Sequence, residues 1–214
     1  MKNTINGFTL AEVLITLVII GVIAAITIPT LMNKTNKQEY VVKLKKAYST
    51  LSQATNRIIA ENGTPKESLG GWLTSHEALY NMYAKYLSNA KRCDVGQTCF
   101  SYITYKNQDG TNSSYKFMKY EDTGELVLAD GTFVQFNAGT DCAIGKRADE
   151  FKTVSAHLHV DVNGAKGPNM WGVDAFRFYL NENGLFPTGC WYNSTNCDGQ
   201  NCTCTVLREG AMNY

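Results

Sequence analysis

The hydrophobic pattern of the chain changes character along its length. Between Glu12 and Lys34 lie 21 uncharged residues, 13–33. As a helix rising about 1.5 Å per residue they would span roughly 30 Å, the thickness of a hydrocarbon core. Val, Ile, Leu and Ala fill 13–28 almost without a break, interrupted by Thr16, Gly21 and Thr27. Pro29 stands where a helix kinks or loses a hydrogen bond, yet the helical pattern resumes beyond it. Tyr40, Leu44, Ala47, Tyr48, Leu51, Ala54 and Ile58 recur at i, i+3, i+4 spacing, the stripe of an amphipathic helix. Asn62-Gly63 supplies a stop. The pattern predicts one long N-terminal helix, apolar all round over 8–29 and one-faced over 30–63.

Beyond residue 64 the period shortens. A helix is predicted over 75–87, capped by Thr74 or Ser75, with Leu79, Met82, Tyr83 and Tyr86 on one face. Strand-like runs follow at 100–105, 114–120, 126–129, 132–136, 157–162 and 175–180. Asp130-Gly131 between the third and fourth reads as a two-residue hairpin turn. The fold class is therefore α+β: a C-terminal antiparallel sheet body over 64–214, laid against the one-faced half of the helix.

Composition changes this picture in two places. Lys+Arg 20 against Asp+Glu 19 leaves the chain near neutral, so nothing in its charge points to nucleic acid. The cysteines crowd into the second half: Cys93, Cys99, Cys142, Cys190, Cys197, Cys202 and Cys204. Behind a hydrophobic N-terminus, such crowding reads as a disulfide-stapled body made in an oxidising compartment. The lysines after the span (Lys34, Lys37, Lys43, Lys45, Lys46) outnumber Lys2 before it, and alone would place the body in the cytoplasm. The cysteines argue for the opposite side, and they are weighted more heavily here because reduced cytosol would leave them without a purpose. A cleaved secretory signal ending near Ala24 is the competing use of the segment. Glu12 at the mouth of its apolar core opposes that reading.

Lys2, then Gly7, Phe8, Thr9, Leu10 and Glu12, followed by the apolar run, resemble the prepilin signature of type IV pilins and type II secretion pseudopilins. The resemblance covers about residues 1–60. It implies a leader, 1–7, removed by a prepilin peptidase that cuts between Gly7 and Phe8 and N-methylates Phe8. It implies that Glu12 serves assembly by pairing with the terminal amine of a neighbouring subunit. It also implies a single-pass inner-membrane protein with an extracytoplasmic body, and later a periplasmic or cell-surface filament. Its partners would be other pilin or pseudopilin subunits and an inner-membrane assembly platform. The physical reading agrees: a carboxylate buried in lipid needs a cationic partner, and cleavage creates one. The plain alternative is a Glu that snorkels to the headgroups at a helix end.

Three constellations in the body invite chemistry. Asp161, Asn163, Asn169 and Asp174 set oxygen side chains among glycines, the pattern of a calcium loop. Lys166 inside the loop and a spacing unlike an EF-hand weigh against that, in favour of a glycine-rich connection between strands. Cys190, Cys197, Cys202 and Cys204, with His157 and His159, offer soft-metal donors. Disulfides stapling a loop are the preferred reading, and the two histidines alternate along a strand as surface residues do. Cys93 and Cys99 can close a small loop of their own. Trp72, Trp171 and Trp191 with many tyrosines could bind ligands, but more often fill a core. No Ser-His-Asp order, phosphate loop or paired acids suggest an enzyme. The leading expectation is a filament subunit; the alternative is a membrane-anchored binding protein or adhesin that does not polymerise.

Overall fold

The computed structural model describes residues 9–64, 75–93, 99, 103–113, 124–138, 156–181, 183–189 and 202–212. Its two compact units are Met1–Glu39 and Tyr40–Tyr214.

Helix α1, Leu10–Asn62, is 53 residues long with Pro29 inside it. Within the first unit its apolar side chains stand outward, from Leu10 through Ile20 to Met32. It is long and apolar enough to cross a membrane. The few polar side chains in this stretch satisfy themselves locally: Thr16 donates to the Val13 carbonyl at 2.9 Å, Thr27 to Ile23 at 2.9 Å and Thr30 to Ile26 at 3.3 Å. Back-bonding of this kind leaves no hydroxyl facing hydrocarbon without a partner.

In the second unit the same helix becomes one-faced. Tyr40, Leu44, Ala47, Leu51, Ala54 and Ile58 are buried, and Tyr48 packs against them at the edge. The stripe read from the sequence is the one the core uses. Gly63 closes the helix with φ 80° while its N–H donates to the Ile59 carbonyl at 2.9 Å, a left-handed stop that favours glycine. Helix α2, His76–Tyr86, starts at Ser75, whose hydroxyl accepts the Ala78 N–H at 3.0 Å. It buries Leu79, Tyr80, Tyr83 and Ala84, with Met82 and Tyr86 partly covered.

Among the described residues six strands form one sheet in simple chain order, every neighbour antiparallel: β1 Lys91–Cys93, β2 Glu125–Val127, β3 Phe133–Ala138, β4 Ala156–Asp161, β5 Ala175–Asn181 and β6 Gly184–Pro187. Leu126, Val134, Phe136, Leu158, Val160, Phe176, Phe178 and Leu180 share the main core with α1 and α2. There Tyr48 stacks on Phe178 at 5.4 Å and Tyr83 tilts over Phe136 at 5.0 Å. Helix α3, Thr203–Glu209, ends at Gly210 and adds Val206 to the core.

Several expectations are corrected. The β2–β3 connection is a three-residue loop, because Leu128 N–H pairs with the Thr132 carbonyl at 2.8 Å. Gly131, at φ 84°, donates to Leu128, so the glycine forms a bulge after an ordinary turn. Residues 103–105 of the predicted strand at 100–105 form no strand. Tyr105 instead turns into a second small core with Phe133, Trp171 and Ala175, and Lys106 makes only isolated bridges to Asn112 and Met170. The run at 114–120 lies outside the described residues. Strands β1 and β6 and helix α3 had no expectation behind them; at 3, 4 and 7 residues they are too short for periodicity to show.

Candidate functional site

At the start of α1 the structure builds a reciprocal cap. Thr9 precedes the first helical residue, and its backbone N–H and hydroxyl both reach Glu12 Oε2 at 2.8 Å. The Glu12 N–H returns to Thr9 Oγ1 at 3.3 Å. This is a capping box, in which a Thr before the helix and a Glu three residues on satisfy each other's orphan donors. Neither pairing with another subunit nor snorkelling to the headgroups includes this local role, although Thr-x-x-Glu before an apolar run is a legible signal for it. Glu12 Oε1 makes no hydrogen bond among the described residues. Gly7 and Phe8 lie outside the described residues.

The four loop residues expected to hold calcium are drawn together where β4 ends and β5 begins. Asp161, the last residue of β4, accepts the Tyr105 hydroxyl on Oδ2 at 2.6 Å and the Asn163 N–H on Oδ1 at 3.0 Å. Asp174, just before β5, accepts the Met170 N–H at 2.6 Å and the Asn169 N–H at 2.8 Å. Both carboxylates are fully buried. Burial, then the charge of Asp174, pushes the Asp161 carboxyl up to about 8, and burial pushes Asp174 up to about 6. Tyr105 is driven far above the usual phenol range, first by burial and then by the Asp161 charge. Asn163 Nδ2 donates to Tyr40 Oη at 3.2 Å and to the Gly167 carbonyl at 3.1 Å.

The sheet face away from α1 carries a polar row that the sequence did not reveal. Register aligns Cys93, Glu125, Gln135, His159 and Arg177 across β1 to β5. Glu125, Gln135 and His159 are buried. Glu125 accepts the Cys99 N–H at 2.9 Å, and burial lifts it to about 7. The reading of His157 and His159 as surface residues is therefore wrong. Trp171 packs edge-on to His159 at 5.8 Å, and burial, then the Arg177 charge, holds His157 down to about 3. A covered second face gives alternating residues no solvent side, so alternation ceases to mark exposure.

Cys93 and Cys99 form the expected disulfide, and Cys204 is disulfide-bonded as well. Cys202 is buried and its sulfur accepts Gln108 Nε2 at 3.2 Å. Cys142, Cys190 and Cys197 lie outside the described residues, as do Trp72 and Trp191.

A membrane-capable helix opening on a Thr-x-x-Glu cap, continued into an antiparallel disulfide-bearing body, is pilin-like architecture. The profile of the prokaryotic N-terminal methylation motif matches residues 2–28, the signature of type IV pilins and pseudopilins. A second profile, described as a family of unknown function (DUF6613), matches residues 30–189, and the chain belongs to that family. No curated protein and no solved structure matches it.

Proposed function

We propose that this chain is a structural subunit of a type IV pilus or type II secretion-type filament. The methylation motif at 2–28 carries the reading. In it a prepilin peptidase cuts after Gly7 and methylates Phe8. The subunit then waits in the inner membrane with its body outside the cytoplasm, and an assembly platform lifts it into the filament. The capping box supports a specific division of labour at Glu12. Oε2 holds the local helix start through Thr9, while Oε1 takes the methylated amine of a neighbouring copy. A carboxylate costly alone in lipid becomes a register device when helices stack side by side.

Glu12→Ala tests this directly. Membrane insertion and loss of the leader should be unchanged, while recovery in sheared filaments falls at least tenfold. Normal filament incorporation of that variant would end the role given to Glu12, and absence of the unaltered chain from sheared filaments would end the filament reading in favour of an anchored protein that never polymerises.

A further inference from the structure

The filament reading leaves one buried acid of the body without a use. Glu125 in β2 is 2% exposed, and it forms no ion pair with a described Lys, Arg or His. Its carboxyl accepts one hydrogen bond among the described residues, from the Cys99 N–H at 2.9 Å. A carboxyl supported so sparsely is costly as an anion and keeps its proton to unusually high pH. Burial accordingly lifts it to about 7.

A disulfide stands beside that proton. Glu125 lies directly opposite Cys93 in the β1–β2 register, so the two side chains leave the same sheet face with Cβ atoms about 5 Å apart. Cys99, at the other end of the bond, is the residue whose N–H the carboxyl holds. Glu125 is thus tied to both half-cystines. They differ in access: Cys93 is buried, whereas Cys99 is half-buried. Strand β1 has three residues and, at the sheet edge, pairs with β2 alone. Thiol–disulfide exchange needs an approachable sulfur to attack and a stabilised form for the sulfur that leaves. This corner of the sheet supplies both.

We propose that Cys93–Cys99 is an exchangeable disulfide, opened at Cys99 by a dithiol reductant, with Glu125 giving its proton to the departing Cys93 sulfur. The reductant's thiolate bonds to Cys99 Sγ, the bond between the cysteines breaks, and its electron pair leaves on Cys93, which takes the Glu125 proton. The reductant's second thiol loses its proton to solvent and displaces Cys99. Two protons from solvent then restore Glu125 and protonate Cys99. The reductant ends as a disulfide, having given two electrons to the two cysteines. Cys99 packs against the small core of Tyr105, Phe133, Trp171 and Ala175, so opening the bond unfastens the edge strand from that core.

The groups facing Glu125 leave it as the proton source at this corner. Gln135 on β3 does not titrate, and beyond it burial, then the Arg177 charge, holds His159 well below 6.5. Tyr105, which feels the Glu125 charge, is driven far above the usual phenol range. Asp161, two residues along β4 from His159, also titrates near neutrality, and variants of Glu125 separate the two. The inference stands independently of the filament reading.

The test reduces the full chain in detergent micelles with dithiothreitol, quenches by alkylation, and follows Cys93 and Cys99 by peptide mass spectrometry. Rates are divided by the concentration of reductant thiolate. For the unaltered chain the corrected rate should fall about tenfold between about pH 6 and 8, as Glu125 loses its proton. Glu125→Gln should be about tenfold slower at the acid end and show no pH dependence. Glu125→Asp should restore the slope. Circular dichroism checks each fold, and if Glu125→Gln does not fold, the profile of the unaltered chain decides. A corrected rate that ignores pH would overturn the proposal. So would a Glu125→Gln profile equal to that of the unaltered chain, or a Cys93–Cys99 bond that stays closed to the reductant until the body unfolds.

Discussion

Helix α1 contains two stretches whose apolar side chains meet opposite fates. Leu17 is 60% exposed, whereas Leu51 is wholly buried. The difference lies in what surrounds each leucine on the helix: apolar residues on every side at Leu17, and charged or polar residues such as Lys45, Lys46 and Gln53 on the far side from Leu51. Around 10–32 apolar side chains cover every face, the pattern of a helix long and apolar enough to cross a membrane. Around 40–58 the stripe is narrow enough for one sheet face to cover. Even the polar groups divide this way. Thr16, Thr27 and Thr30 turn back onto their own helix, while Thr55 in the buried stretch pairs with Tyr83 Oη at 2.5 Å as well as with the Leu51 carbonyl.

Truncating one leucine in each stretch separates the two fates by the largest effect. Leu51→Ala should cost the body about 2–5 kcal/mol by leaving a cavity in the main core. Leu17→Ala should leave body melting unchanged, as read by circular dichroism of the full chain in micelles. An equal loss from both would mean that the apolar stretch is part of the folded core.

A smaller effect is expected at Gly124, beside β2. A Cβ there would overlap the Tyr80 ring, whose other contacts include the Arg92 guanidinium at 5.4 Å and its Nε at 3.3 Å from the hydroxyl. Gly124→Ala should lower stability by about 1–3 kcal/mol through overpacking. Pairing it with Tyr80→Leu should recover part of the loss in a double-mutant cycle.

The second face of the sheet should reveal itself in acid. Unfolded His157 takes a proton near 6.5, whereas folded His157 refuses one until about 3. Between those values the unfolded state binds more protons, so this residue's contribution to stability falls as pH drops, by about 1.4 kcal/mol per unit. Glu125, raised to about 7, acts in the opposite sense and loses its stabilising share as pH rises through that value. His157→Gln should therefore remove about 2 kcal/mol of the acid loss between pH 6.5 and 4.5, measured against the parent chain by urea unfolding. Identical pH profiles would show that His157 already titrates normally in the fold.

The smallest effect belongs to the cap. Thr9→Ala removes the hydroxyl that accepts the Glu12 N–H, and amide exchange in the first turn should quicken about fivefold. Thr9→Ser should restore it.

How much of this was legible beforehand follows from the physics of each part. The long helix, its stripe, the Ser75 cap and strands β2 to β5 announce themselves through periodicity and turn chemistry, which act locally. The polar row was invisible, because Glu125, Gln135 and His159 become neighbours only through register across three strands. His159 is further covered by Trp171, which comes from the loop after β4. Tyr105 lies in a run with strand-like pattern, but its partner Asp161 is 56 residues away and no local pattern reveals it. At the N-terminus the prepilin signature is legible from local sequence alone, and so is the Thr9-x-x-Glu12 cap inside it.

In the proposed processing the chain is cut after Gly7 and the mature helix begins at Phe8. Intact-mass and N-terminal peptide mass spectrometry of the chain expressed with a prepilin peptidase tests it most directly. The expected product lacks residues 1–7 and begins at Phe8 with one added methyl group. A chain still beginning at Met1, or a new terminus at Ala25, would contradict it.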